Sequence, residues 1–381
     1  MTERSTGRST EHFHVAVVGG GQAGLAVSYH LRQRGLDHVV LDASEHAGDP
    51  WRMRWDSLRL FTPARLDHLD GMNFPGPSSQ VPTKDEFADY LAAYEQRFEL
   101  PVRHGTRVHR LFAGDDGFVL DTSISGISAD AVVVAMSSLQ APYMPAMAGD
   151  LDPSIRSMHS VTYRNPAQLQ EGAVLVVGVG NTGAEIGIEV AQTHETWLAG
   201  AESGQLPFRV DGFFGRHVGT RIVAALFLHV LTTDTAIGRK LRPTMTTKAD
   251  LLLRERPGEL RRSGVRRVPR IDAVRDGLPV AADGTVLEVA NVIWCTGFRA
   301  GLTEWVDIPV LDERGLPRHR RGVVADQPGL YFVGQNFLFA KASEQIPGVS
   351  RDARYVVGQL EQWLAQNDRV PSLPDGARQQ S

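Results

Sequence analysis

The 381-residue chain has a single cysteine, Cys295, and that scarcity removes several chemistries at once. An intramolecular disulfide, a Cys-x-x-Cys redox pair and a cysteine-rich metal site each need more than one thiol. Positive charge is in short supply as well: 40 Lys and Arg stand against 44 Asp and Glu, for a formal net charge of −4. Aromatics do not interleave with a basic stripe, so a nucleic-acid partner has no electrostatic support. Long apolar runs are missing too. The longest, IVAALFLHVLTT from Ile222, is about half of what a bilayer span requires, so no transmembrane segment is predicted. It reads as a buried helix; a lid or dimer surface is the alternative, which an exposed apolar face would reveal. The chain has no H-E-x-x-H, G-x-S-x-G or Walker motif, and its 13 histidines read as lacking paired spacing, so no metal is expected. No side chain stands out as a catalytic acid, base or nucleophile.

What the chain does have is glycine, placed with a rule. Residues 15–18 form a short β-branched run of the type that makes a buried parallel strand, and Gly19, Gly21 and Gly24 follow it as G-x-G-x-x-G. The first glycine permits a tight turn, the second lets backbone approach a pyrophosphate, and the third lets helix pack against strand. Ala23, Ala26, Val27 and Leu31 recur at helical spacing, Gly35 marks a stop, and a second apolar strand ends in Asp42, where a carboxylate meets ribose hydroxyls. The pattern then repeats. Val174 to Val177 leads into Gly178, Gly180 and Gly183, with Ala184, Ile188 and Ala191 on one helical face. A repeat about 160 residues long is no solenoid. The fold class is therefore α/β, with two Rossmann-like dinucleotide-binding domains, and two such cofactors in one chain point to hydride passing from nicotinamide to flavin.

Further segments carry a resemblance. The ordered pair of glycine motifs, GDPWRMRWDSLRLFTPAR at 48–65, HSVTY at 159–163, VIWCTGFR at 292–299 and PGLYFVGQNF at 328–337 together resemble the bacterial flavin-containing monooxygenases, related to the plant YUCCA-type enzymes. The resemblance implies FAD on Gly19, Gly21, Gly24 and Asp42, with Trp51 and Thr62 lining it and Gly334 and Gln335 beside the flavin. It puts NADPH or NADH on Gly178, Gly180, Asn181, Thr182 and Gly183, and the Thr296–Gly297 turn is counted with the cofactor-binding residues. The nicotinamide domain, 170–289, is implied to be inserted into an FAD domain of 11–165 and 290–367, with flexible tails at 1–10 and 368–381. Hinges are expected near RNPAQLQEG and VLEVANV. His159 reads as an interdomain positioning residue, and Cys295 as a small buried residue at a strand end. The stretch RVHRLFAGDDGFVLDTS reads as a hairpin turning at Asp115, Asp116 and Gly117.

The departures from the family matter equally. Its Ala-Thr-Gly turn is replaced by Ala135, Met136 and Ser137, and Pro63 stands where animal-type relatives have an asparagine that helps stabilise oxygenated flavin. Where many relatives carry Gly-Arg after the second domain's second strand, this chain reads Gly200, Ala201, Glu202. A carboxylate there suits a ribose hydroxyl and repels a 2′-phosphate, weakening NADPH preference; the arginines of LRRSGVRRVPR at 260–270 are the alternative clamp.

The implied activity is insertion of one oxygen atom from dioxygen into a small organic substrate, at nitrogen, sulfur or a carbonyl, through a peroxyflavin. An NAD(P)H oxidase releasing hydrogen peroxide and a flavin-binding redox sensor share every cofactor motif. A disulfide reductase needs the second cysteine that is absent. A cytoplasmic setting is expected; the oligomeric state is open, a homodimer being one option.

Overall fold

The computed structural model describes residues 11–201, 204–247, 251–367 and 369. Two mainly parallel sheets carry the two glycine motifs. In the first, the strand Glu11–Val18 lies between Gly126–Val134 and His38–Leu41, parallel to both. The strand Leu330–Phe332 pairs with the upper half of Gly126–Val134, and the strands Val108–Gly114 and Gly117–Thr122 extend the sheet beyond its lower half. Residues 15–18 are all buried, as a strand covered on both faces must be. On one face the helices Gln22–Gln33 and Ile346–Gln366 pack together. The second presents Val349, Ala353, Val356, Val357, Leu360 and Leu364, spaced three or four apart so that they share one side. The helix Lys84–Arg97 joins them, started by a capping box between Thr83 and Glu86. The predicted hairpin forms, with Gly114 opposite Gly117.

The second sheet is wholly parallel, in the order Arg266–Val268, Thr196–Ala199, Val174–Val177, Asn291–Trp294, Arg156–His159. It reaches past the interval 170–289 on both sides, because 156–159 and 291–294 pair within it. The crossings between the sheets shift accordingly. They run through 135–155 and 295–305, where Ala141–Pro142 and Phe298–Arg299 pair as a short antiparallel ribbon, rather than through the two segments expected as hinges.

The apolar run from Ile222 is helical but not buried. Thr220–Ala225 continues at each end into wider π-type turns, Gly215–Gly219 and Leu226–Val230, and Ile222 is 59% exposed. This corrects the buried-helix expectation in favour of the exposed face. Among the described residues no helix is long and apolar enough to cross a membrane.

Candidate active site

The two glycine turns have nearly the same geometry. Gly19 has φ +104° and Gly178 φ +114°, in the region open to glycine. The helices that follow start at Gly21 (φ −74°, ψ −171°) and Gly180 (φ −74°, ψ −178°). A Cβ on Gly24 would sit 1.8 Å from the Gly19 carbonyl oxygen, and one on Gly183 would sit 1.8 Å from that of Gly178. No side chain larger than hydrogen fits at either third glycine. A Cβ on Gly21 or Gly180 would meet nothing within 4 Å, and neither helix start has a side-chain cap. Each turn thus presents backbone N–H groups to an opening, which is what a pyrophosphate binds. The residues present fit two dinucleotides.

Around the first cradle, Asp42 ends its strand as expected, but its carboxylate also holds the turn. One oxygen accepts from the Gly20 amide and the other from Ser44 N at 2.6 Å. A carboxylate has about four lone-pair sites, so acceptor capacity remains for a ribose. Trp51 belongs here too: its Nε1 donates to Gln22 Oε1 at 3.1 Å, at the start of the cradle helix, and its ring meets Phe87 edge-on at 4.9 Å. From the far end of the chain, Gly334 comes close enough that a Cβ would lie 2.9 Å from that of Ala23. Gln335 donates from Nε2 to Met136 O and accepts from Ser138 Oγ at 3.2 Å. Met136 fills the place of the family's missing glycine turn; its Cγ would lie 3.2 Å from a Cβ on Gly19. The neighbouring Asn336 Oδ1 is buried with no protein partner.

Thr62, expected to line the flavin, has its hydroxyl bonded to a neighbouring carboxyl. It donates its hydroxyl hydrogen to Asp67, a fully buried carboxyl pushed up to about 8 by burial. The other oxygen of Asp67 has no protein partner. Thr62 therefore orients a carboxyl that is protonated at neutral pH, and its proton is not free for a cofactor. Nothing in the sequence distinguished Asp67 from an ordinary loop acid.

At the second cradle, Gly178 backs onto Cys295, whose carbonyl would be 2.3 Å from a Cβ there. Burial pushes the Cys295 thiol up to about 12, so it stays protonated and unreactive. Thr182 lies in the first helical turn of Asn181–Val190. Asn181, expected to face the nicotinamide dinucleotide, also bonds to protein: its amide donates to Leu251 O at 3.1 Å and accepts from Leu253 N at 2.9 Å, tying down the base of the 204–262 excursion. Glu202 lies outside the described residues. At the preceding strand end, however, Arg267 Nη2 donates to Gly200 O at 3.0 Å, so one arginine of the 260–270 group does sit there.

Thr296 and Gly297 fall in the crossing ribbon. The Thr296 hydroxyl donates to Tyr143 O, while Gly297 O accepts from Tyr143 N at 2.9 Å and from His159 Nε2 at 3.0 Å. His159 Nδ1 in turn accepts from Val161 N at 3.2 Å, which fixes the neutral tautomer, and burial lowers its pKa further. His159 is thus a neutral imidazole whose hydrogen bonds at the crossing go to backbone. Arg254, which the sequence did not single out, joins three parts: it pairs with Glu185 on the second cradle helix at 3.0 Å, donates to Leu60 O at 2.6 Å, and lies over the Phe61 ring. At the start of the strand Glu11–Val18, His12 and His14 place ligand-type atoms within 4.8 Å of each other and of Asp130, a spacing the histidine reading missed. Asp130 already accepts from Arg369 at 2.6 Å and bonds His14 at 2.8 Å.

A family model for pyridine nucleotide-disulphide oxidoreductases matches residues 16–202. An uncharacterised CzcO-like oxidoreductase of Geobacillus kaustophilus is 36% identical over 348 residues, covering 91% of this chain and 97% of its own length. A flavin-containing monooxygenase from Stenotrophomonas maltophilia superposes with a TM-score of 0.76 at 29% identity, over 93% of this chain and 99% of that one. The chain belongs to the flavin-containing monooxygenase family. Its plant kin include the indole-3-pyruvate monooxygenase YUCCA4 of Oryza sativa subsp. japonica, 27% identical over 91% of this chain and 87% of that one. Flavin-containing monooxygenases are oxidoreductases that use FAD and NAD(P)H, and the two cradles fit those two dinucleotides. The disulfide chemistry in the broader family's description has no counterpart here, since Cys295 is the only cysteine.

Proposed function

We propose that this flavin-containing monooxygenase holds FAD at Gly19, Gly21, Gly24 and Asp42, takes NADH or NADPH at Gly178, Gly180 and Gly183, and oxygenates a small substrate at nitrogen, sulfur or a carbonyl. The observation that carries the reading is the duplicated cradle, intact in both copies. Bound FAD supplies hydride acceptance and dioxygen activation. The chain's own residues do the rest. Backbone amides at Gly21 and Gly180 hold the pyrophosphates, Asp42 and Trp51 fix the first cradle, and His159 holds the crossing between the domains. The balance is one hydride and one proton consumed per dioxygen, with one oxygen atom to substrate and one to water.

The test is to supply labelled dioxygen with a thioether, an amine or a ketone and to follow nicotinamide oxidation, labelled product and peroxide together. Product carrying one labelled oxygen, with peroxide falling as it forms, supports monooxygenation. Peroxide equal to the nicotinamide consumed with every class would make the protein an oxidase. Because Arg267 stands at the end of the strand preceding Glu202, we read the coenzyme site as weakly discriminating. Flavin reduction by NADH and NADPH should then differ by less than about tenfold, or about 1.4 kcal/mol; a far larger NADPH advantage refutes this.

A further inference from the structure

The excursion between the strands Thr196–Ala199 and Arg266–Val268 of the nicotinamide sheet returns to the FAD domain. Thr233 N donates to Phe339 O at 2.7 Å, Lys341 N donates to Leu231 O at 2.9 Å, and Arg351 reaches Leu228 O at 2.6 Å. Arg65 of the LFTPAR segment donates to Thr220 Oγ1 at 3.0 Å. One side of the helical stretch 215–230 is therefore fastened down over the segments that follow Gln335 and Thr62. The other side faces outward. It carries Phe214, Val218, Ile222, Leu226 and Val230, between 39% and 59% exposed, with Phe213 at the near end 84% exposed.

The spacing of that row is strictly four. In a pure α-helix, with about 3.6 residues per turn, residues four apart drift by about 40° per step. The π-type turns on both sides of Thr220–Ala225 take more residues per turn and straighten the row into a continuous apolar stripe. Its flanks are of one sign. Arg216, His217, Arg221 and His229 are exposed beside it, and no Asp or Glu occurs anywhere in 212–233, although the whole chain carries a net charge of −4. A second copy docked face to face would set this basic margin against itself. An occupant with an apolar interior and a negative surface fits both features, and an anionic lipid leaflet has that layered chemistry: phosphates outside, hydrocarbon beneath.

We propose that this face seats on the surface of an anionic membrane, with the stripe entering the headgroup boundary and the arginines meeting lipid phosphates. Nothing in it depends on the oxygenation chemistry. The test uses the full chain loaded with FAD, floated with vesicles of pure phosphatidylcholine or of phosphatidylcholine mixed with phosphatidylglycerol. The protein should float with the mixed vesicles and be released by about 1 M salt, where the Debye length is about 3 Å. The double variant Ile222→Glu/Leu226→Glu should lower the bound fraction by about tenfold or more while flavin content stays unchanged. Arg221→Glu should weaken binding on its own, and it decides the question if the double variant fails to hold FAD. Failure of the wild-type protein to float with mixed vesicles overturns the proposal. So does a wild-type dimer in sedimentation that Ile222→Glu/Leu226→Glu splits into monomers, which would assign the face to a second copy.

Discussion

At Gly24 and Gly183 a single hydrogen decides whether a cradle exists. A methyl group at either position would overlap the carbonyl of the turn's first glycine, so the turn must open and its amides swing away from the phosphate site. The two equivalent substitutions should nevertheless have different outcomes, because on the proposed function each cradle serves a different cofactor. Gly24→Ala should yield protein without flavin absorbance after purification. Gly183→Ala should keep its flavin but be reduced by nicotinamide about a hundredfold more slowly, the size of effect a displacement of about 1 Å brings. If both variants lose flavin, or neither does, the assignment of cofactors to cradles is wrong. Asp67 makes a residue-scale prediction of another type. Its pKa is near 4 in the unfolded chain and is pushed up to about 8 by burial in the folded one. The folded state therefore holds a proton that the unfolded state releases, and stability drains away as pH rises from about 4 through about 8. Asp67→Asn, which cannot ionise, should flatten the alkaline limb of a plot of Tm against pH; an unchanged slope would mean that the carboxyl is ionised in the native protein.

Among elements, the decisive joint is the one Arg254 makes between the second cradle helix and the LFTP segment. Its partner Glu185 is so buried that its pKa rises to about 7 despite the guanidinium 3.0 Å away. Removing the arginine alone strands that carboxyl, so Arg254→Ala should cost about 3–5 kcal/mol in denaturant unfolding. Pairing it with Glu185→Leu should restore most of the loss, which a purely steric role for Arg254 would not allow. None of this was readable from the chain, because Arg254 and Glu185 lie on different elements and sequence spacing says nothing about their meeting. The cradles were legible for the opposite reason: their constraints fall within six residues of backbone, where sterics alone dictate glycine. The strands 156–159 and 291–294 lie between these cases. Each is a strand, but which sheet it joins depends on a partner more than a hundred residues away, so the nicotinamide sheet begins before and ends after the expected interval 170–289. The run from Ile222 was misread because hydrophobicity signals that a surface wants covering and does not say by what. His12 and His14 were overlooked for a related reason: Asp130, which brings them together, comes from a neighbouring strand.

For the whole molecule, the question is how hydride transfer and oxygen transfer stay coupled when two cradles sit on separate sheets. Among the described residues a short ribbon, Ala141–Pro142 with Phe298–Arg299, the bonds from Tyr143 to Thr296 and Gly297, and the His159–Gly297 bond join the crossings, which suits limited movement of one domain against the other. The 204–262 excursion acts from outside that hinge. It leaves the nicotinamide sheet, is held by Asn181 and Arg254 at its base, and is fastened by Arg65, Arg351 and the 339–341 segment to the FAD domain. On the proposed function, a segment tied to both domains would keep water from the flavin site, and excluded water is what favours oxygen transfer over peroxide release. Loosening one tie should then affect only the later step. Arg65→Ala removes the bonds to Arg216 O and Thr220 Oγ1 without touching either cradle. Anaerobic flavin reduction by nicotinamide should proceed at the wild-type rate, while peroxide released per nicotinamide oxidised rises severalfold in the presence of a substrate. A fall in the reduction rate with no change in peroxide yield would place Arg65, and the excursion it holds, in nicotinamide delivery instead of in shielding the flavin.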